Sequence, residues 1–236
     1  PLGVLLFVQA VCLTLYSFSG AADKWWAFGL MGQSQKTFSD VQGLEFFRML
    51  GSGAGSGFRP WPDLGTYALL TVWSNVKMAN DSLHHAEIFQ LLNTRSSAQH
   101  SFWLRPVRGH GTWHGKAPFH VQTQEYKADQ RTAVITRASI KPWLMPYFWL
   151  RVGRVSRHLK NMPGLQLAKG IGEWPLFEQA TFSVWESASA IDDYAYKTKP
   201  HKSAVRSTRK VKWYSEEMFM RFAVLEEQKG IPEAVS

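Results

Sequence analysis

Leu13-Thr14-Leu15-Tyr16-Ser17-Phe18 returns later in the chain, altered, as Ile135-Thr136-Arg137-Ala138-Ser139-Ile140. Each stretch reads as a strand, and each leads into an aromatic helical segment, Trp25-Trp26 in one case and Tyr147-Phe148-Trp149 in the other. Two more pairs keep the same order: Gly43-Leu44-Glu45-Phe46 with Gly164-Leu165-Gln166-Leu167, and Thr71-Val72-Trp73-Ser74 with Ser183-Val184-Trp185-Glu186. The second members stand 122, 121 and 112 positions after the first. The chain is therefore two diverged copies of one unit.

The drop from 121 to 112 gives the first copy about nine extra residues between two strands, which are the glycine-rich stretch Gly51 to Gly57. Helical segments follow the paired tryptophans, Asn75 to Leu92 and Ser187 to Arg209, and closing strands come last, Phe102 to Val107 and Met218 to Leu225. Each copy thus reads β-α-β-β-α-β, the ferredoxin-like order, whose sheet carries helices on one face and needs its other face covered. The expected fold is α+β: two tandem ferredoxin-like units, residues 1–118 and 119–236, packed as a dimeric α+β barrel within one chain. A space between the two sheets would hold an apolar ligand. The linker Lys116 to Arg131 has no long Gly/Ser run that would separate the units.

The 236 residues are 45% apolar and 14% aromatic, enough for a large core and suited to a flat or polyenic ligand. A net charge of +9 invites a nucleic-acid reading, but no nucleic-acid motif accompanies it. An anionic membrane surface, an acidic redox partner or the carboxylates of a cofactor fit the same excess. The lone Cys12 excludes an intrachain disulfide and favours the cytoplasm. The first 22 residues are uncharged and Val4 to Leu15 is mostly apolar, yet no basic segment precedes the run and Gln9, Thr14, Ser17 and Ser19 interrupt it. A buried strand is expected there rather than a signal or membrane segment.

Gly51 to Gly57 imitates a phosphate-binding loop, but Phe58-Arg59-Pro60-Trp61-Pro62 follows, where no helix can start to receive the phosphate. Among the histidines, His84 and His85 are helix neighbours that cannot share a face, and His158 lies among cations. His110 and His114 stand four apart in a glycine-rich loop and read as surface. His201 follows Pro200 and falls in the first turn of a helix capped by Thr198, where the helix dipole keeps imidazole neutral and able to bind a metal. Lys197, Lys199, Lys202, Arg206, Arg209, Lys210 and Lys212 surround it without one acidic residue and suit propionate groups; the same run also reads as a capped surface helix. Glu173, after Gly170-Ile171-Gly172 and beside Lys169 and Trp174, is placed in the loop matching the glycine insertion, where it could line the space between the sheets. Glu216 and Glu217 are neighbours that project in different directions.

Several ordered stretches resemble the spheroidene monooxygenase family, from residue 14 to 225. They include Trp26-Ala27-Phe28 with Met31-Gly32, Gly51-Ser52-Gly53, Trp113 with Gly115 and Pro118-Phe119, Thr136-Arg137-Ala138-Ser139-Ile140, Lys169-Gly170-Ile171-Gly172-Glu173, Thr181-Phe182-Ser183-Val184-Trp185, His201 with Arg206, and Trp213-Tyr214 with Glu216-Glu217. The resemblance implies haem b with His201 as the iron ligand, Lys202, Arg206 and Trp185 in the cofactor site, and Glu173, Lys169 and Arg137 as catalytic residues. It further implies a carotenoid-like substrate, O2, and electrons from a ferredoxin-type donor. A peripheral contact with the inner membrane and a homodimer stay open. His110 and His114 depart from the family pattern, which has smaller residues there. Competing readings are a different haem reaction on the same barrel, such as a dehydratase or peroxidase, and a non-catalytic carrier of haem or an apolar ligand.

Overall fold

The structure, a computed structural model, describes residues 9–54, 61–121, 126–146, 162–174, 178–197 and 214–230. The first copy runs β1 (Ala10–Ser17), α1 (Ala21–Phe38), β2 (Leu44–Gly53), β3 (Pro62–Trp73), α2 (Val76–His85), α3 (Glu87–Arg95) and β4 (Ala98–Gly111). The second runs β5 (Thr132–Ile140), β6 (Leu165–Trp174), β7 (Glu178–Trp185), α4 (Ala188–Lys197) and β8 (Tyr214–Gly230). The strands close into one antiparallel barrel in the order β1-β3-β2-β6-β7-β5-β8-β4, so each copy contributes four neighbouring strands in the ferredoxin-like arrangement. The intrachain α+β barrel expected from the repeat is the observed fold.

The repeat extends to register. Leu13 lies opposite Leu70 in the first copy, and its counterpart Ile135 lies opposite Phe182 in the second. Both copies carry a bulge at the start of their second strand, between Leu44 and Phe46 and between Leu165 and Leu167. The two seams between copies are unequal. Strands β4 and β8 pair from Gln99↔Gly230 to Gly111↔Met218, whereas β2 and β6 meet only at Gly51↔Gly172 and Ser52↔Ile171.

Period-two alternation sorts the side chains. Inward positions from all eight strands, among them Leu13, Leu70, Phe102, Ile135, Phe182 and Phe222, pack into a common apolar core. These side chains face the middle of the barrel, the space in which a ligand was expected. Outward positions carry the helices: Trp73 packs on Phe89 of α3, and its counterpart Trp185 packs on Tyr194 of α4. The apolar N-terminal run supplies the buried strand expected of it, from Ala10 to Tyr16. Among the described residues no helix is long and apolar enough to cross a membrane.

Three local expectations are revised. The single helix after Trp73 is two, because Ala86 turns extended (φ −73°, ψ 129°) after α2, which begins at an Asn75 cap whose Oδ1 accepts from Met78 N–H at 2.9 Å. Helix α4 begins in the same way, with Ser187 Oγ accepting from Ala190 N–H at 3.1 Å. Gly51–Gly53 and Gly170–Trp174, read as loops, lie in β2 and β6. Glycine serves close approach there: a Cβ on Gly172 would stand 2.4 Å from the Glu178 carbonyl oxygen.

Candidate active site

Charged side chains gather at one end of this apolar barrel. Four of them belong to the second copy: Arg137 near the end of β5, Glu173 near the end of β6, Glu178 opening β7 and Glu216 near the start of β8. Antiparallel pairing brings these strand ends together, since Glu178 lies opposite both Trp174 and Ser139, and Ser139 lies opposite Glu216. The first copy adds Arg48 of β2 and the turn after β4 that carries Trp113 and His114.

Sequence dictates that turn. Gly111 ends β4 with φ 91°, and Trp113 and Lys116 then exchange backbone hydrogen bonds of 2.8 and 3.2 Å around His114 and Gly115. With φ of 50° and 71°, these two central residues form a type I′ turn, in which glycine is favoured and histidine is strained. Glu216 holds it in place. The carboxylate accepts from Thr112 Oγ1 at 2.6 Å, Gly115 N–H at 2.8 Å and His114 N–H at 3.0 Å, and also from Arg137. Burial opposes its ionisation, but these donors prevail and bring its pKa down to about 2.

The turn drives the Trp113 indole into the core, edge-on to Phe46 at 5.9 Å, and swings His114 over the carboxylates. Trp113 Nε1–H donates to Glu173 Oε2 at 2.9 Å, and His114 Nε2 lies 2.9 Å from that same oxygen. Arg48 Nε stands 2.8 Å from Glu173 Oε1. Arg137, its side chain only 1% exposed, donates through Nη2 to Glu178 Oε1 at 3.2 Å. Glu178 Oε2 is 3.5 Å from His114 Nε2, buried, and accepts no hydrogen bond. Burial first, then the nearby Glu173 carboxylate, pushes the Glu178 pKa up. Two carboxylates, an imidazole and two guanidiniums therefore converge where apolar surroundings strengthen every electrostatic interaction.

The sequence-derived site residues divide. Glu173 and Arg137 meet in this cluster. Lys169 is on β6, with Nζ 3.7 Å from Asp63 Oδ2. Trp185 lies on the outward face of β7 beneath α4, its Nε1–H donating to Ser183 Oγ at 3.0 Å. His201, Lys202 and Arg206 lie outside the described residues. Sequence reasoning missed Arg48 and Glu178; it read His114 as surface, and the ring is exposed, but a glycine-rich loop gives no sign that it meets these carboxylates. The His114-Gly115 pair, just past the end of β4, was the available signal for a tight turn. Cys12 is buried in β1, and burial pushes its thiol up to about 11, consistent with a packing role.

No family model matches the chain. Curated relatives do. The spheroidene monooxygenase of Rhodobacter capsulatus is 31% identical over 214 residues, covering 90% of this chain and 89% of the relative. That of Rubrivivax gelatinosus is 31% identical over 204 residues, covering 86% and 78%, and that of Cereibacter sphaeroides is 29% identical over 220 residues, covering 92% and 67%. Among solved structures, an aldoxime dehydratase superposes with a TM-score of 0.62 at 10% identity, covering 92% of this chain and 82% of that one, a likeness of fold alone.

Proposed function

This chain belongs to the spheroidene monooxygenase family and is an oxidoreductase, and from that premise we propose that it oxygenates a long apolar polyene of the acyclic carotenoid class. The observation that carries the reading is the similarity to named monooxygenases across nine-tenths of the chain. The overall step would be R–H + O2 + 2 e⁻ + 2 H⁺ → R–OH + H2O, and a second hydroxylation at the same carbon followed by loss of water would give a ketone.

Haem is the cofactor this reading calls for, and when bound it would supply the oxygen-activating chemistry. The donor set suits it: His201 offers an imidazole nitrogen for iron, and Lys202 and Arg206 offer cations for the propionates. The described histidines are less suited. His84 and His85 bond to carbonyls of their own helix, His100 is held by Glu227 at 2.6 Å, His114 stands among carboxylates, and His110 and His120 are exposed.

In this reading Arg137, Glu173 and Lys169 serve the reaction from the second copy. Trp143, just beyond β5, and Trp174, ending β6, are 74% and 67% exposed at the charged end, and they offer aromatic faces to a polyene. The net charge of +9 suits an acidic ferredoxin-type donor. The experiment is turnover of an acyclic carotenoid by haem-supplemented protein with a ferredoxin donor under ¹⁸O2. One labelled oxygen per hydroxyl, formed only with the donor, is expected. Unlabelled product, or turnover that needs neither O2 nor electrons, overturns the reading in favour of a dehydratase-type reaction.

A further inference from the structure

We infer that His114, Glu173 and Glu178 form a binding site for a first-row divalent cation, separate from the haem site proposed above. Their ligand atoms, one from each residue, all lie within 4.8 Å of one another. His114 Nε2 stands 2.9 Å from Glu173 Oε2 and 3.5 Å from Glu178 Oε2. Adjacent donors around an ion bonded at about 2.1 Å stand about 3.0 Å apart in octahedral geometry and about 3.4 Å apart in tetrahedral geometry. The imidazole thus stands from each carboxylate at the spacing of adjacent donors around one cation. One imidazole and two carboxylates are a donor set for Mn²⁺, Fe²⁺ or Zn²⁺.

Two independent features point to a missing cation. The first is Glu178 Oε2, which is buried and accepts no hydrogen bond, the His114 ring at 3.5 Å being its ion-pair partner, while Glu178 Oε1 and Glu173 Oε2 each accept one. A buried acceptor that receives no hydrogen bond marks a place where a donor or an ion belongs. The second is charge. Glu173, Glu178 and Glu216 face Arg48 and Arg137, so three carboxylates meet two guanidiniums and one negative charge is left over. Glu216 is committed to the turn, which leaves the excess on the pair that faces His114.

The remaining neighbours act as an outer shell. Trp113 Nε1–H and Arg48 orient Glu173, and Arg137 orients Glu178 through its other oxygen, so that each carboxylate keeps an oxygen directed at His114. The strained I′ turn fixes the imidazole above them, with Arg137 Nη2 at 3.4 Å from Nε2.

The test is titration of the purified, haem-supplemented full chain with Mn²⁺, following the free-ion electron paramagnetic resonance signal. Wild type should take up one equivalent. His114→Asn suits the left-handed turn and removes the imidazole, and Glu178→Gln keeps the shape and removes the charge; each should weaken uptake at least about tenfold. His201→Ala should take up Mn²⁺ like wild type, which separates this site from the haem assignment. Melting curves establish that each variant is folded, and if one is not, the other carries the test. A wild type that leaves the free-ion signal unchanged, a folded His114→Asn or Glu178→Gln that binds as wild type, or loss of uptake in His201→Ala overturns the inference.

Discussion

Gly43 and Gly164 carry the same backbone, φ 76° and 79°, and the same hydrogen bond: their carbonyls accept from Ser74 N–H at 3.0 Å and Glu186 N–H at 2.8 Å. Each abuts the helix that follows its hairpin, where a Cβ would stand 2.6 Å from Met78 Cβ or 2.7 Å from Ala190 Cβ. Left-handed backbone and close packing both demand glycine. Gly43→Ala and Gly164→Ala should each cost about 1–3 kcal/mol, read as a lowered midpoint in urea denaturation.

These two glycines show why the fold was legible. A positive-φ turn, a bulge and a tryptophan under a helix recur because the physics of one ferredoxin-like unit recurs, so the matched stretches of sequence are the ones that carry all three. The candidate site was legible only in half. Arg137 stood within a repeat landmark and Glu173 beside the glycines matched to the insertion, but Arg48, His114 and Glu178 reach the cluster through inter-strand register and through a turn across the copies. Closure of a barrel leaves no local pattern in sequence. The break at Ala86 was equally hidden, since helical periodicity continues on both sides of it.

Arg137 is the buried cation that holds Glu216 and Glu178 together. Arg137→Ala should destabilise the fold by about 3–5 kcal/mol, because two partly buried carboxylates lose their partner. Urea denaturation measures the loss. Arg137→Lys should recover only part of it, since an ammonium cannot bridge two carboxylates as a planar fork does.

At the opposite end, Glu227 accepts from Arg131 and His100 and pairs with Lys229. Its ionisation is opposed by burial, but these partners lower its pKa from the usual 4.5 to about 2. His100 is lowered from its usual 6.5, first by burial. A lowered carboxyl stabilises the fold above its unfolded value, and a lowered imidazole does likewise, so both contributions fade as pH falls. Unfolding free energy should therefore decline from below pH 6.5 and more steeply from 4.5 towards 2. Glu227→Gln should flatten the steeper part of that curve.

Trp143 and Trp174 rest largely in solvent, so truncating them should leave stability within about 0.5 kcal/mol of wild type. Turnover should respond instead. Trp143→Ala and Trp174→Ala are each expected to raise KM for an acyclic carotenoid about tenfold with kcat little changed, the signature of lost substrate binding. Steady-state kinetics on detergent-dispersed substrate measure it.

The proposal that the second copy holds haem is tested most directly by the absorption spectrum of the haem-supplemented protein, reduced with and without carbon monoxide. Wild type, His114→Ala and His158→Ala should retain a Soret band that shifts with carbon monoxide, and His201→Ala should lose it. A wild type without a Soret band, or a band lost with His114→Ala and kept with His201→Ala, would contradict the assignment.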